Sequence, residues 1–278
     1  MFKVDSFGPT KRLTMARSFS GKAYFHCHAY LIDQLLIDTG CPCASKPFQS
    51  FLDNENISQA AVTHYHEDHA GNVISLNLSG IPVLAPSSSV KKIARGVVNQ
   101  LSKSQLYALL AWGKSWGGMS EPLPKKIETA HHTFEVISMP GHSEDMHVFY
   151  VPSEGWLFSG DLFIAARRSY WRREEDPLKT MTSLRQALAL DFDSLFCGHA
   201  PILKNGKEAL KKKLEFMEET QQKAIKLKDE GLSISQIIKK LFGGEKLVPV
   251  VTLGDFSRQR FIEGLLAQPS TESAKTVT

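Results

Sequence analysis

Five apolar, β-rich runs in this chain end on an aspartate or a histidine: "LLI" on Asp38, "AAVT" on His64, "VISMPG" on His142, "WLFSG" on Asp161 and "SLFCG" on His199. In three of them a glycine stands immediately before the polar residue, as Gly141-His142, Gly160-Asp161 and Gly198-His199. Glycine accepts positive φ and lets other groups approach closely, which a crowded site at strand ends requires. Polar residues delivered by several strand ends can converge on one edge of a sheet. A recurrence of this kind is far more specific than any single histidine.

The second of these runs opens the densest polar stretch, "THYHEDHAGN" (63–72), with three histidines, a glutamate and an aspartate within residues 64–69. Burying so many polar groups is costly unless something binds them. By the alternation of an extended chain, His64, His66 and Asp68 project to one side while His69 steps away. One short loop can therefore feed two metal ions with nitrogen and oxygen donors of the kind zinc takes. Glu67 is read as an exposed bystander.

Composition bounds the alternatives. A chain of 278 residues, 42% apolar and 22% charged, can bury the core of one large domain, with or without an appendage. A net charge of +4 leaves an anionic substrate or RNA open without arguing for either. No run approaches the ~20 apolar residues of a membrane span, and the N-terminal "MFKVDSFGPTKRLTM" lacks a signal peptide's apolar segment. The four cysteines show no CxxC pair, and Cys41-Pro-Cys43 reads as loop cysteines. The expectation is a soluble, cytoplasmic protein with free thiols and no membrane contact.

Along the chain, strands are expected through the first 38 residues, then at 57–63, 133–139, 147–151, 156–159 and 192–197. Helices are expected in 87–118, at 179–190, and from 205 onward, where Leu210, Leu214, Met217 and Ala224 form one apolar stripe. The lysine run 211–213 on that helix reads as a solvated face beside Glu215, Glu218 and Glu219. The tail 269–278 has a flexible, disordered composition. Among the other histidines, His26 and His28 read as satisfied strand residues, His131 and His132 as solvated, and His147 as packing.

The residues carry a resemblance. HxHxDH at 64–69, "GH" at 141–142, "SGD" at 159–161, "GH" at 198–199 and "IDTG" at 37–40 resemble, in order, the motifs of the metallo-β-lactamase-fold superfamily. The resemblance covers roughly residues 20–205 and implies an α/β, αββα sandwich over 1–204, followed by a small helical C-terminal extension at 205–268. It implies that His64, His66 and His142 hold one metal, that Asp68, His69 and His199 hold a second, and that Asp161 bridges them. Asp38 matches the family's strand-end aspartate, which orients a ligand histidine, though a plain turn role for "DTG" stands beside it. Two divalent ions are implied, zinc first and Mn2+ or Fe2+ as alternatives. A hydroxide held between them would be the nucleophile, with Asp68 as the catalytic residue that orients it.

The substrate is less readable. The expected reaction is cleavage of an ester, thioester or lactone of a small molecule. An endoribonuclease or phosphodiesterase of the same fold and a non-hydrolytic iron-binding redox protein are the alternatives, with nucleic acid the less favoured partner. Glutathione-thioester and lactonase branches lack specific support: no glutathione-type basic pattern stands in the C-terminal third, and Leu162, Phe163 and Ile164 follow Asp161 where the lactonases carry a tyrosine. Residues 87–118 could form a helical lid or an ordinary buried helical pair. In "RRSYWRREED" (167–176), Arg167, Arg168, Tyr170 and Trp171 are candidate substrate contacts, unless its arginines pair with Glu174, Glu175 and Asp176. Oligomeric state is not readable.

Overall fold

The N-terminal β-rich region folds as an antiparallel meander of β1 (Phe2–Phe7), β2 (Thr10–Phe19), β3 (Lys22–Ile32) and β4 (Leu35–Ile37). The sheet then continues in parallel through β5 (Gln59–Ala61), β6 (Val83–Ala85) and β7 (Glu121–Pro122), for seven strands in chain order. A second sheet of five strands runs β12-β11-β10-β9-β8, from β8 (Lys126–Glu128), β9 (Thr133–Ser138), β10 (His147–Val151), β11 (Trp156–Gly160) and β12 (Ser194–Cys197). The computed structural model describes residues 1–20, 22–96, 105–200 and 204–267.

Strand alternation builds the layers. Tyr30, Ile32, Leu35, Ile37 and Ala61 meet Phe134, Phe149, Val151, Phe158 and Phe196 between the sheets. Their neighbours along the same strands face outward: Leu31, Leu36 and Ala60 pack under α1 (Ser45–Leu52) and α2 (Val73–Leu78) through Phe48, Leu52 and Leu76. On the far side Val148, Leu157 and Leu195 pack under α5 (Pro177–Leu188), α6 (Gly206–Asp229) and α9 (Arg258–Leu266). Strands covered on both faces become apolar at every position, as "LLI" is. The result is the expected αββα sandwich.

The extension carries α7 (Ile234–Phe242) and α8 (Val248–Val251) between α6 and α9. Leu210, Leu214, Met217, Phe261 and Leu265 join the same apolar cluster as Met181 and Leu184 of α5, while Ala224, Leu227, Ile237, Ile238 and Ile262 form a small cluster of their own. Lys213 departs from the expected solvated lysine face. It is 3% exposed, and its Nζ donates to Leu162 O at 2.5 Å, whereas Lys211 and Lys212 pair on the surface with Glu215 and Glu208. It falls within the stripe of Leu210, Leu214 and Met217, so the helix docks it whether or not its charge is matched. Burial pushes its amine down to about 7.

Between the sheets' connections lie α3 (Val90–Arg95) and α4 (Tyr107–Ala111), both shorter than the helices expected in 87–118. Val97, Val98 and Leu101 of that region, and the 269–278 tail, lie outside the described residues. Leu106 and Leu110 are 49% and 77% exposed, so this face of α4 is not part of a buried pair. Among the described residues no helix is long and apolar enough to cross a membrane.

Candidate metal centre

The parallel pairs set the site. Ile37 registers against Ala61, so Asp38 and the turn that begins at Thr63 leave the first sheet side by side. Gly160 stands opposite Cys197, so Asp161 and His199 leave the second sheet together. His142 comes from the β9–β10 connection. Bonds between the sheets close the edge: His28 N donates to Gly198 O at 2.8 Å, His147 N to Thr63 O at 2.9 Å, and the Tyr30 hydroxyl to Cys197 O at 2.6 Å.

The seven residues expected from the sequence come together there. His66 Nδ1 lies 2.9 Å from His64 Nε2 and 3.0 Å from His142 Nε2. Across the cluster, Asp68 Oδ2 is 3.1 Å from His199 Nε2 and 3.9 Å from His69 Nε2. Asp161 stands between the two groups, with Oδ1 3.2 Å from His69 Nε2 and Oδ2 3.2 Å from both His142 Nε2 and His199 Nε2. Donor atoms lie within 4.8 Å of one another in three overlapping sets: His64, His66 and His142; His64, His69 and Asp161; Asp68, His69 and His199. A Cβ on Gly198 would sit 2.5 Å from His69 Cε1 and 2.6 Å from Asp161 Oδ1, which explains the glycine before His199.

A family model described as the metallo-beta-lactamase superfamily matches residues 24–199. The chain belongs to that superfamily. It is 29% identical over 170 residues to the hydroxyacylglutathione hydrolase of Chromohalobacter salexigens, covering 59% of this chain and 57% of that protein. It is 22% identical over 209 residues to the Beta-lactamase-like protein 2 homolog of Caenorhabditis elegans, covering 73% and 64%. The matched stretch thus spans less than two thirds of either relative. In structure, a metallo-beta-lactamase family protein from Thermus thermophilus superposes with a TM-score of 0.64 at 16% identity, over 93% of this chain and 91% of that one, a likeness of fold.

In this superfamily member the outer nitrogen of every clustered imidazole is held from behind. His64 Nδ1 meets Thr63 Oγ1 at 3.0 Å, His69 Nδ1 meets Asp38 Oδ2 at 2.8 Å, and His199 Nδ1 meets His26 O at 2.6 Å. His66 Nε2 meets Glu174 Oε1 at 3.0 Å, and His142 Nδ1 meets Glu175 Oε1 at 2.7 Å. Such partners select the tautomer and fix which nitrogen faces the centre. Asp38 itself sits in the left-handed region at φ +61°, and its Oδ1 also accepts from Thr63 N at 2.8 Å.

Sequence reasoning misses Glu174 and Glu175 as site residues. It shows them only as counter-charges for nearby arginines, because their histidines are 108 and 33 positions away. Two of the four arginines pair: Arg168 with Glu175, and Arg172 Nε with Glu174 inside the segment and Asp255 outside it, each of these two at 3.4 Å, while Asp176 accepts from Lys179 N at 3.0 Å. Of the four expected substrate contacts, Arg168 lines the cavity beside the centre, and the other three are not among its lining residues. Arg167 is exposed. Trp171 is buried and stacked on Phe261 at 5.1 Å, and the Tyr170 hydroxyl accepts from Lys246 N at 3.1 Å. The "RRSYWRREED" segment docks the C-terminal helices and props two histidines.

Glu67 is 3% exposed and lines the cavity, against the expectation of an exposed bystander. The turn that follows His66 tucks back into the fold, and burial raises the Glu67 carboxyl. His132 is half-buried against Asp33 rather than solvated, and His28 is buried with Nδ1 unpartnered among the described residues. Cys41 and Cys43 Sγ atoms approach to 3.2 Å as free thiols.

The donor set fits cations. His69 Nε2 and Asp161 Oδ1, buried 3.2 Å apart, meet no hydrogen-bond geometry with each other or with any other of the described residues, and ligand-type nitrogens face one another at about 3 Å. Burial opposes charge throughout, yet His69 is raised well above its ordinary value by Asp161, Asp38 and Asp68, and His199 is raised to about 10 by Asp161 and Asp68. Burial likewise opposes ionisation of Asp161, whose neighbouring histidines hold it well below the ordinary carboxylate range. The raised His69 and His199 imidazoles stand against the buried carboxylates of Asp68 and Asp161. Metal and protons therefore compete: at pH 7 loading is expected to release protons, and metal affinity to weaken as pH falls. Titration calorimetry in buffers of different ionisation enthalpy reads this release, and a zero net count would sink the account.

Proposed function

We propose that the chain is a metal-dependent hydrolase that cleaves an ester, thioester or lactone bond of a small molecule. The observation that carries this reading is the Asp161 carboxylate, within 3.2 Å of histidine nitrogens from both donor groups. His64, His66 and His142 would hold one divalent ion, Asp68, His69 and His199 the other, and Asp161 both, with zinc suited to the nitrogen and oxygen set. When bound, such a pair supplies an acidified water and polarises the scissile carbonyl. The named activity of the hydroxyacylglutathione hydrolases among its relatives supports carbonyl chemistry.

The chain's own residues do the rest. Asp68, held ionised against burial by His69 and His199, accepts a hydrogen bond from the attacking water and orients it. Glu174, Glu175, Asp38, Thr63 and the His26 carbonyl keep the imidazoles in register through the reaction. The test is metal content of the purified protein, with a turnover screen over thioesters, lactones, phosphodiesters and short RNA. About two zinc ions per chain with carbonyl-ester turnover are expected. One iron with oxygen consumption, or cleavage of RNA alone, would overturn the reading.

A further inference from the structure

A cavity of about 360 Å3 opens directly on the donor atoms, with His66, Asp68, His142, Asp161 and His199 along its floor. That volume is within the range of small-molecule sites, roughly 300–1,000 Å3. Beside Glu67, Arg168 and Arg172, one part of its wall is apolar and largely aromatic. Trp112 stands 5.7 Å from the His199 ring and 5.9 Å from Phe25, while Tyr107 meets Phe256 at 5.8 Å. Ala111 and Ile164 complete this surface. Phe256 comes from the C-terminal extension, and the Tyr107 hydroxyl donates to Asp255 Oδ2 at 2.8 Å, so the extension supplies one wall.

The cavity's charge is as telling as its shape. Its two arginines are both committed, Arg168 to Glu175 and Arg172 to Glu174 and Asp255. Glu67 lines the same wall, its Oε2 buried without a hydrogen-bond partner among the described residues and its charge opposed by Arg172. Outside the donor set, the cavity's two guanidiniums are met by four carboxylates, Glu67, Glu174, Glu175 and Asp255. Away from the donor atoms, an entering anion meets no guanidinium that does not already face a carboxylate.

We propose that the acyl group of the substrate is uncharged and apolar, of aromatic-ring size, and seats against Trp112 and Phe25. This rests on the carbonyl-hydrolase reading above. The acyl group and the leaving group meet at the carbon under attack, and the aromatic walls, which begin at the donor atoms, are assigned to the acyl side. A polyanionic carrier contributes nothing there.

The test is a ladder of thioesters on one small neutral thiol, N-acetylcysteamine, with acetyl, 3-phenylpropanoyl and succinyl groups, beside a hydroxyacylglutathione thioester. Burying the phenyl ring should raise kcat/KM about 30-fold over acetyl, mainly through KM, with succinyl at or below acetyl. Trp112→Ala should compress the phenylpropanoyl-to-acetyl ratio to about threefold or less. Preference for succinyl or for the glutathione thioester, or an unchanged ratio in Trp112→Ala, would overturn the proposal. Binding of uncleaved 3-phenylpropanamide and succinamate to the metal-loaded protein, read by tryptophan emission against Trp112→Phe, separates the two readings. If the neutral amide binds better yet no thioester is cleaved, the carbonyl reading fails and the cavity assignment survives. Equal or weaker binding of the neutral amide sinks the cavity assignment.

Discussion

Asp161→Ala is expected to lose metal and activity together. The carboxylate reaches His69 on one side and His142 and His199 on the other, so its removal leaves both donor groups without their shared oxygen ligand. Metal catalysis is worth several kcal/mol, so turnover should fall by about a thousandfold or more. The three imidazoles would also lose the charge that Asp161 supplies, and His199 should no longer be raised as far. Metal analysis, kinetics and a thermal melt on the same preparation check this. A folded variant that keeps both metal and turnover would refute the ligand assignment.

The second large effect is expected at Glu175. Its Oε1 meets His142 Nδ1 and pairs with Arg168, and its Oε2 accepts from Arg172 N at 2.6 Å. Truncation to alanine frees the His142 ring and strands Arg168, whose side chain is only 15% exposed. Metal affinity should fall by roughly 10–100-fold, as for other outer partners of ligand histidines. Stability should fall by about 3 kcal/mol, as when one member of a buried ion pair is removed. Glu175→Gln separates the two effects, because an amide oxygen can still accept from Nδ1 but cannot neutralise Arg168. It should recover metal affinity to within about tenfold of wild type while remaining destabilised. Equal metal affinity in all three proteins would remove Glu175 from the site.

Smaller effects follow from packing. Gly198→Ala would force a Cβ against His69 and Asp161, and lowered metal affinity in a folded protein is the expected outcome. An unchanged metal titration would show that the edge can yield.

The strand ends are readable because two constraints coincide in them. A strand buried on both faces is apolar throughout, and a polar residue after it marks where the sheet stops. That logic places Asp38, His64, His142, Asp161 and His199, and "THYHEDH" adds His66, Asp68 and His69. β7, β8 and α8 escape it because two to four residues are too few to show a period. Lys213 and Glu67 read as solvated when charge is the guide, yet their position on a docked helix stripe and an inward turn decides their burial.

By itself the sequence determined the polar residues at its strand ends, for which local periodicity and chain order suffice, and the layered fold came through the resemblance that those motifs carry. Tertiary structure alone decided which carboxylate props which histidine, that Arg168 and Arg172 are spent on Glu174, Glu175 and Asp255, and that Trp112 and Phe256 face one cavity. Those are contacts between segments as many as 148 residues apart, as between Tyr107 and Asp255, and nothing in local chain chemistry encodes the partner.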